Sequence, residues 1–126
     1  MYGNNALNAY KNNSVNHASK EQLLLMLVDG AVRFAKIARE ALINKDIKNS
    51  HENLIKTQNI FTELMVSLDP NAGEWAIQIL KVYKYINEKL AEANIKKDYK
   101  ILDEVMPLIE EVRSIWYDAN KKSVMG

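Results

Sequence analysis

Cysteine is absent from this 126-residue chain. That excludes a disulfide framework and any thiolate metal site, and it suits a reducing compartment. Glycine and proline are scarce, with four and two residues. The scattered glycines leave no phosphate-cradling loop, and low glycine and proline beside 48% hydrophobic content favour helices. Neither sign of charge prevails. Seventeen basic and sixteen acidic side chains leave a formal charge of +1, which argues against a nucleic-acid binder driven by counterion release. Long apolar runs are missing as well. The run at residues 23–28 is closed off by Asp29 and Arg33, far short of the roughly 20 residues that span a bilayer. No basic n-region and apolar h-region open the chain, so neither a secretory signal nor membrane insertion is expected, and the expected location is cytoplasmic. The length fits one domain with its own core.

What is present reads as four long helices. Ser19 and Gln22 form a capping box that starts the first. Two apolar stripes then run side by side, Leu23, Leu27, Gly30, Phe34, Ile37, Ala41 and Leu24, Val28, Ala31, Ala35, Ala38, Leu42. Leu25, Met26 and Val32 fall outside or at the edge of both. A surface helix needs an apolar arc of about 100°; this one carries more, so it is a central helix or it lines a groove. Asp46 caps a second helix with Ile47, His51, Leu54, Gln58, Phe61, Met65 and Leu68 on one stripe, ending at Asp69-Pro70. Asn71 caps a third, with Glu74 at N3; its inner face takes Ala76, Leu80, Tyr83, Leu90 and Trp75, Ile79, Val82, Ile86. Asp98 caps the fourth, with Ile101, Val105, Leu108, Val112, Ile115 and Ala119 inward and Pro107 predicting a kink. Trp116 is placed at the end of the core, while Ile77 and Tyr85 point away from it.

Short connections between long helices force antiparallel neighbours. The expected fold is therefore all-α: an antiparallel up-down-up-down four-helix bundle over residues 19–120, with a short, mobile N-terminal segment, 1–18, and a C-terminal tail, 121–126. The first segment is rich in asparagine, which prefers caps and turns to helix interiors. Leu7 and Tyr10 would nonetheless share a face with Ala6 if a turn of helix formed, with Val15 beyond, which makes 1–18 a possible lid over the bundle.

Catalytic chemistry is hard to find. A ferritin-like di-metal site needs two Glu-x-x-His motifs, and neither His17 nor His51 follows a glutamate at that spacing. No Cys-x-x-Cys-His haem attachment exists. No enzyme activity, metal or cofactor is expected. Two alternatives stay open on the residues alone: a histidine phosphotransfer bundle using His51, and a structural bundle that self-associates through the surplus apolar face of its first helix.

The order of residues resembles the flagellar export chaperones of the FliS type. The resemblance rests on Asn8-Ala9-Tyr10; on Ser19-Lys20-Glu21-Gln22-Leu23-Leu24-Leu25-Met26-Leu27 followed by Asp29-Gly30-Ala31; on His51-Glu52-Asn53-Leu54, Gly73-Glu74-Trp75-Ala76 and Leu80-Lys81-Val82-Tyr83; and on Leu90-Ala91-Glu92-Ala93-Asn94 and Val112-Arg113-Ser114-Ile115-Trp116. Val28 departs from it, standing where the family commonly has tyrosine. The resemblance implies a cytosolic, non-enzymatic chaperone that binds the disordered C-terminal segment of flagellin. It would prevent premature polymerisation and assist delivery to the flagellar export gate. The implied state is a monomer when free and 1:1 with its client. Matching positions put Leu7, Tyr10 and Val15 in a mobile lid. Leu24, Met26, Leu27, Gln58, Tyr83 and Asn94 fall at or beside the client surface.

Overall fold

A computed structural model describes residues 19–125, with side chains described through 122. Four helices follow in order: α1 (Lys20–Ile43), α2 (Ile47–Ser67), α3 (Glu74–Lys96) and α4 (Tyr99–Met125). Packing is cyclic, with α1 against α2 and α4, and α3 against the same two. Contacts between residues early in one helix and late in its neighbour, such as Asp29 with Arg113 and His51 with Asn94, show the antiparallel sense. The bundle is up-down-up-down as expected. Residues 1–18, with Leu7, Tyr10, Val15 and the expected lid, lie outside the described residues.

The start signals hold at three helices. Ser19 accepts the Gln22 N–H while the Gln22 side chain returns to the Ser19 N–H. Asp46 accepts from the Asn49 N–H, and Asp98 from the Lys100 N–H. The third start is different. Gly73, at φ 135, is the N-cap of α3 and makes no side-chain bond, while Asn71 donates its own N–H to Asp69 in the preceding turn. Asn71 was the wrong cap because Asp69 engages its backbone first. Helix α4 runs unbroken through Pro107, whose ring lies on the exposed face, and continues to Met125 through the stretch expected to be a tail.

Helix α2 is rotated from its expected stripe. Its buried residues are Ser50, Asn53, Leu54, Thr57, Ile60, Phe61 and Leu64, whereas Ile47 and His51 are exposed. The physical reason is local satisfaction of the polar side chains. Ser50 Oγ donates to the Ile47 carbonyl, Asn53 Nδ2 to the Asn49 carbonyl, and Thr57 Oγ1 to the Asn53 carbonyl, at 2.8–2.9 Å. Hydrogen-bonded within their own helix, they enter the core without an orphaned group. Opposite them α1 buries Gly30, Ala31, Ala35, Ala38 and Ala41. Small residues on both helices permit close approach, and α1 with α2 is the most extensive contact in the bundle. A Cβ built on Gly30 would lie 3.2 Å from Ile60 Cδ1.

Ala35 is fully buried where that approach is close. Ala35→Leu is expected to lower stability by about 1–3 kcal/mol through overpacking, read as a lower urea midpoint with an unchanged denaturant slope.

Candidate functional site

The four seams between neighbouring helices differ in how they are closed. The seam of α1 with α2 is closed by small side chains. That of α1 with α4 is laced by charge. Arg113 Nε donates to Asp29 Oδ1 at 2.7 Å, the Tyr117 hydroxyl donates to Asp29 Oδ2 at 2.8 Å, Lys36 pairs with Glu110, and Arg39 forks onto Asp103. The hydrogen bond to Asp29 raises the Tyr117 pKa and that of the Arg113 guanidinium. The seam of α2 with α3 is closed by amides: Asn94 Nδ2 donates to His51 Nδ1 at 3.0 Å, and Asn87 Nδ2 to Thr62 Oγ1 at 3.4 Å.

The seam of α3 with α4 is open along its upper half. A groove of about 490 Å³ runs between Trp75, Gln78, Ile79 and Val82 on one side and Leu108, Glu111, Val112 and Ile115 on the other. Its walls are mostly aliphatic and aromatic, with a few polar groups, the usual character of a binding cleft. Trp75 is 52% exposed and Ile115 43%, although the sequence pattern placed both inward. Tyr85, exposed as expected, continues the same face of α3 one turn beyond Val82. The lower end is closed by Lys89 pairing with Glu104 at 3.6 Å.

Tyr83 and Trp116 fix the upper wall. Tyr83 is 1% exposed, and its ring packs edge-on against Phe61 at 5.9 Å. Its hydroxyl accepts a 2.7 Å hydrogen bond from Trp116 Nε1, which satisfies the polar atom of each ring. Trp116 in turn meets Trp75 edge-on at 6.1 Å. One hydrogen bond thus links the core to the rim of the groove.

The residues singled out from the sequence are dispersed. Met26 is 47% exposed and Leu24 half-buried against the core, both at the end of the bundle where the groove opens. Gln58 is half-buried on α2. Leu27 and Tyr83 are core residues, and Asn94 is buried at the opposite end between His51 and Lys97. Trp75, Ile115 and Leu108 were not singled out as surface positions. Their spacing fits an inner stripe equally well, and only the exposure of Ile77 and Tyr85 hinted that α3 carries more apolar surface than one core uses.

A sequence model of the family described as flagellar protein FliS matches residues 3–123. Over 115 residues the chain is 39% identical to the flagellar secretion chaperone FliS of Bacillus subtilis, covering 91% of this chain and 86% of that protein. It is 32% identical over 129 residues to the flagellar secretion chaperone FliS of Salmonella typhimurium, covering 98% and 96%. A crystal structure titled as a flagellar chaperone from bacteria superposes with a TM-score of 0.74 at 16% identity, covering 94% of this chain and 97% of that one. That likeness establishes the shared fold.

Burial pushes the Tyr83 hydroxyl up to about 12, against the opposing effect of the Trp116 hydrogen bond. The folded state therefore holds this proton more tightly than the unfolded chain. Its contribution is complete below an unfolded pKa near 10 and lost as pH rises toward 12, a loss of roughly 2–3 kcal/mol. Tyr83→Phe should flatten that decline while costing about 1 kcal/mol at neutral pH, measured by urea denaturation followed through tryptophan emission.

Proposed function

The chain belongs to the flagellar protein FliS family, whose members are flagellar secretion chaperones and not enzymes, and on that premise we propose that it holds the C-terminal segment of flagellin in an extended apolar track. The observation that carries this reading is the α3–α4 groove, a seam left with exposed aliphatic and aromatic walls. The track continues across the same end of the bundle over Met26, Leu24 and the half-buried Leu23 and Leu25 at the start of α1. A disordered client that folds on binding buries on the order of 1,000–3,000 Å² and spends about 2–5 kcal/mol on ordering. A surface that runs along one seam and over an end supplies apolar contact in the required extended form.

Binding there keeps the client from polymerising and presents it to the flagellar export gate. The chaperone works in the cytoplasm as a monomer that takes one client. Leu7, Tyr10 and Val15 act as a lid, because they precede Ser19, at the end of the bundle where the groove opens. Tyr83 serves from beneath, holding Trp116 at the rim. Gln58, half-buried on α2, and Asn94, buried at the opposite end against His51 and Lys97, lie away from this track and are left out of it, and Leu27 supports Leu24 and Met26 from the core. No helix among the described residues is long and apolar enough to cross a membrane. The phosphotransfer reading of His51 is set aside with the family assignment.

Ile115→Glu and Met26→Glu alter exposed positions, so both variants should remain helical and folded. Each is expected to weaken a flagellin C-terminal fragment by about tenfold or more, equivalent to 1.4 kcal/mol, by titration calorimetry. Ile95→Glu, at the far end, should leave that affinity unchanged. Deleting residues 1–18 should tighten binding about tenfold if the lid is closed nine-tenths of the time and makes no contact with the client. Equal affinity across all four proteins would place the client elsewhere.

A further inference from the structure

The end of the bundle opposite the groove mouth carries a repeated device. The α1–α2 turn reads Lys45-Asp46-Ile47-Lys48 and the α3–α4 turn reads Lys97-Asp98-Tyr99-Lys100. In each, the first lysine is left-handed, at φ 58 and 53. The aspartate N–H then reaches back five residues, Asp46 to the Ala41 carbonyl at 2.8 Å and Asp98 to the Ala93 carbonyl at 3.2 Å. These are paired Schellman-type helix ends. Each aspartate side chain caps the next helix, so both carboxylates are directed at backbone donors. The left-handed position is filled with least strain by glycine or asparagine. Both turns place lysine there, and the turn itself has no use for an ammonium group.

The result is a polarised surface on a chain that is almost neutral overall. Residues 44–49 and 95–100 hold Lys45, Lys48, Lys96, Lys97 and Lys100 against the two capping aspartates. Lys96 pairs with Glu92 and Lys97 bonds Asn94. Lys45, Lys48 and Lys100 are exposed and form no ion pair among the described residues. Nearby Asp103 is taken by Arg39, and Glu40 and Glu52 lie a turn further back along their helices. The same end also exposes two apolar side chains, Ile47 at 54% and Ile95 at 83%.

We propose that this end docks an acidic amphipathic helix of a protein partner other than the client. Its carboxylates meet Lys45, Lys48, Lys97 and Lys100, and its apolar side chains meet Ile47 and Ile95. Charge complementarity selects the sign of the partner. Spacing selects its form: packed helices lie about 8–10 Å apart, so the two hairpin turns are separated by about the rise of two helical turns, and carboxylates at i and i+7 of one helix can reach both. Five lysines with two exposed isoleucines, and among the described residues of these turns no fully exposed aromatic ring, suit a peptide better than a nucleic-acid strand. Electrostatic contacts at such an exposed site set association rate and specificity.

The test uses the full chain and a fluorescein-labelled helical peptide with glutamate at i, i+4 and i+7 and leucine between, followed by anisotropy at low salt. Wild type is expected to bind. Lys48→Gln/Lys100→Gln is expected to weaken binding by about tenfold, as several exposed pairs lost together would. Lys45→Gly/Lys97→Gly relieves the left-handed strain, so it stays folded and should weaken the peptide similarly. Lys20→Gln/Lys121→Gln at the opposite end should have no effect. Absence of binding by wild type, equal loss in the opposite-end variant, or tighter capture of phosphatidylserine vesicles or single-stranded DNA than of the peptide would each overturn the proposal. Flagellin-fragment affinity in the same variants stays unchanged, which separates this surface from the client track.

Discussion

The close approach of α1 to α2 is the constraint on which the rest of this bundle depends. The first buries Gly30, Ala31, Ala35, Ala38 and Ala41 and the second Ser50, Asn53 and Thr57, and side chains this short let the backbones close. Bulk is correspondingly concentrated across the bundle, where Tyr83, Ile86, Leu90, Leu102 and Ile109 of α3 and α4 fill the interior. Helices α3 and α4 therefore carry more apolar surface than a single core consumes. The excess emerges as a groove instead of closing as a fourth tight seam.

Polar groups decide which seams stay shut. Ion pairs with half-exposed partners contribute little stability singly, yet Asp29, Arg113 and Tyr117 at one end and Arg39 with Asp103 at the other fix the register of α1 on α4. The amide contacts of His51 with Asn94 and of Thr62 with Asn87 do the same for α2 on α3. Along α3 and α4 two polar ties bound the groove: the ion pair of Lys89 with Glu104 closes its lower end, and at its upper wall Trp116 donates a single hydrogen bond to Tyr83. That hydrogen bond anchors one rim to the core and leaves the space between Val82 and Leu108 free for apolar contact.

The same asymmetry organises the ends. The groove mouth gathers leucine, methionine and tryptophan, whereas the opposite end gathers lysines around two turns of identical design. Apolar and basic surfaces are thus separated by the length of the bundle, so the two contacts proposed for them do not compete for the same residues.

Sequence by itself determined the helices, their caps at Ser19, Asp46 and Asp98, and the antiparallel topology, because capping and short connections are local and act before tertiary contacts exist. It also carried the family resemblance, since the matching residues are spread through the whole chain. Rotation of each helix about its axis was decided only in the folded state. Periodicity marks an apolar arc wider than one buried face, and it cannot tell which edge of that arc the neighbours will cover. Hence Ile47 and His51 were assigned inward while Ser50, Asn53 and Thr57, polar but satisfied within their own helix, took the interior. For the same reason Trp75 and Ile115 read as core and stand at the groove rim. Which surplus stays exposed depends on how closely every other pair of helices packs, and that is a property of the assembled bundle.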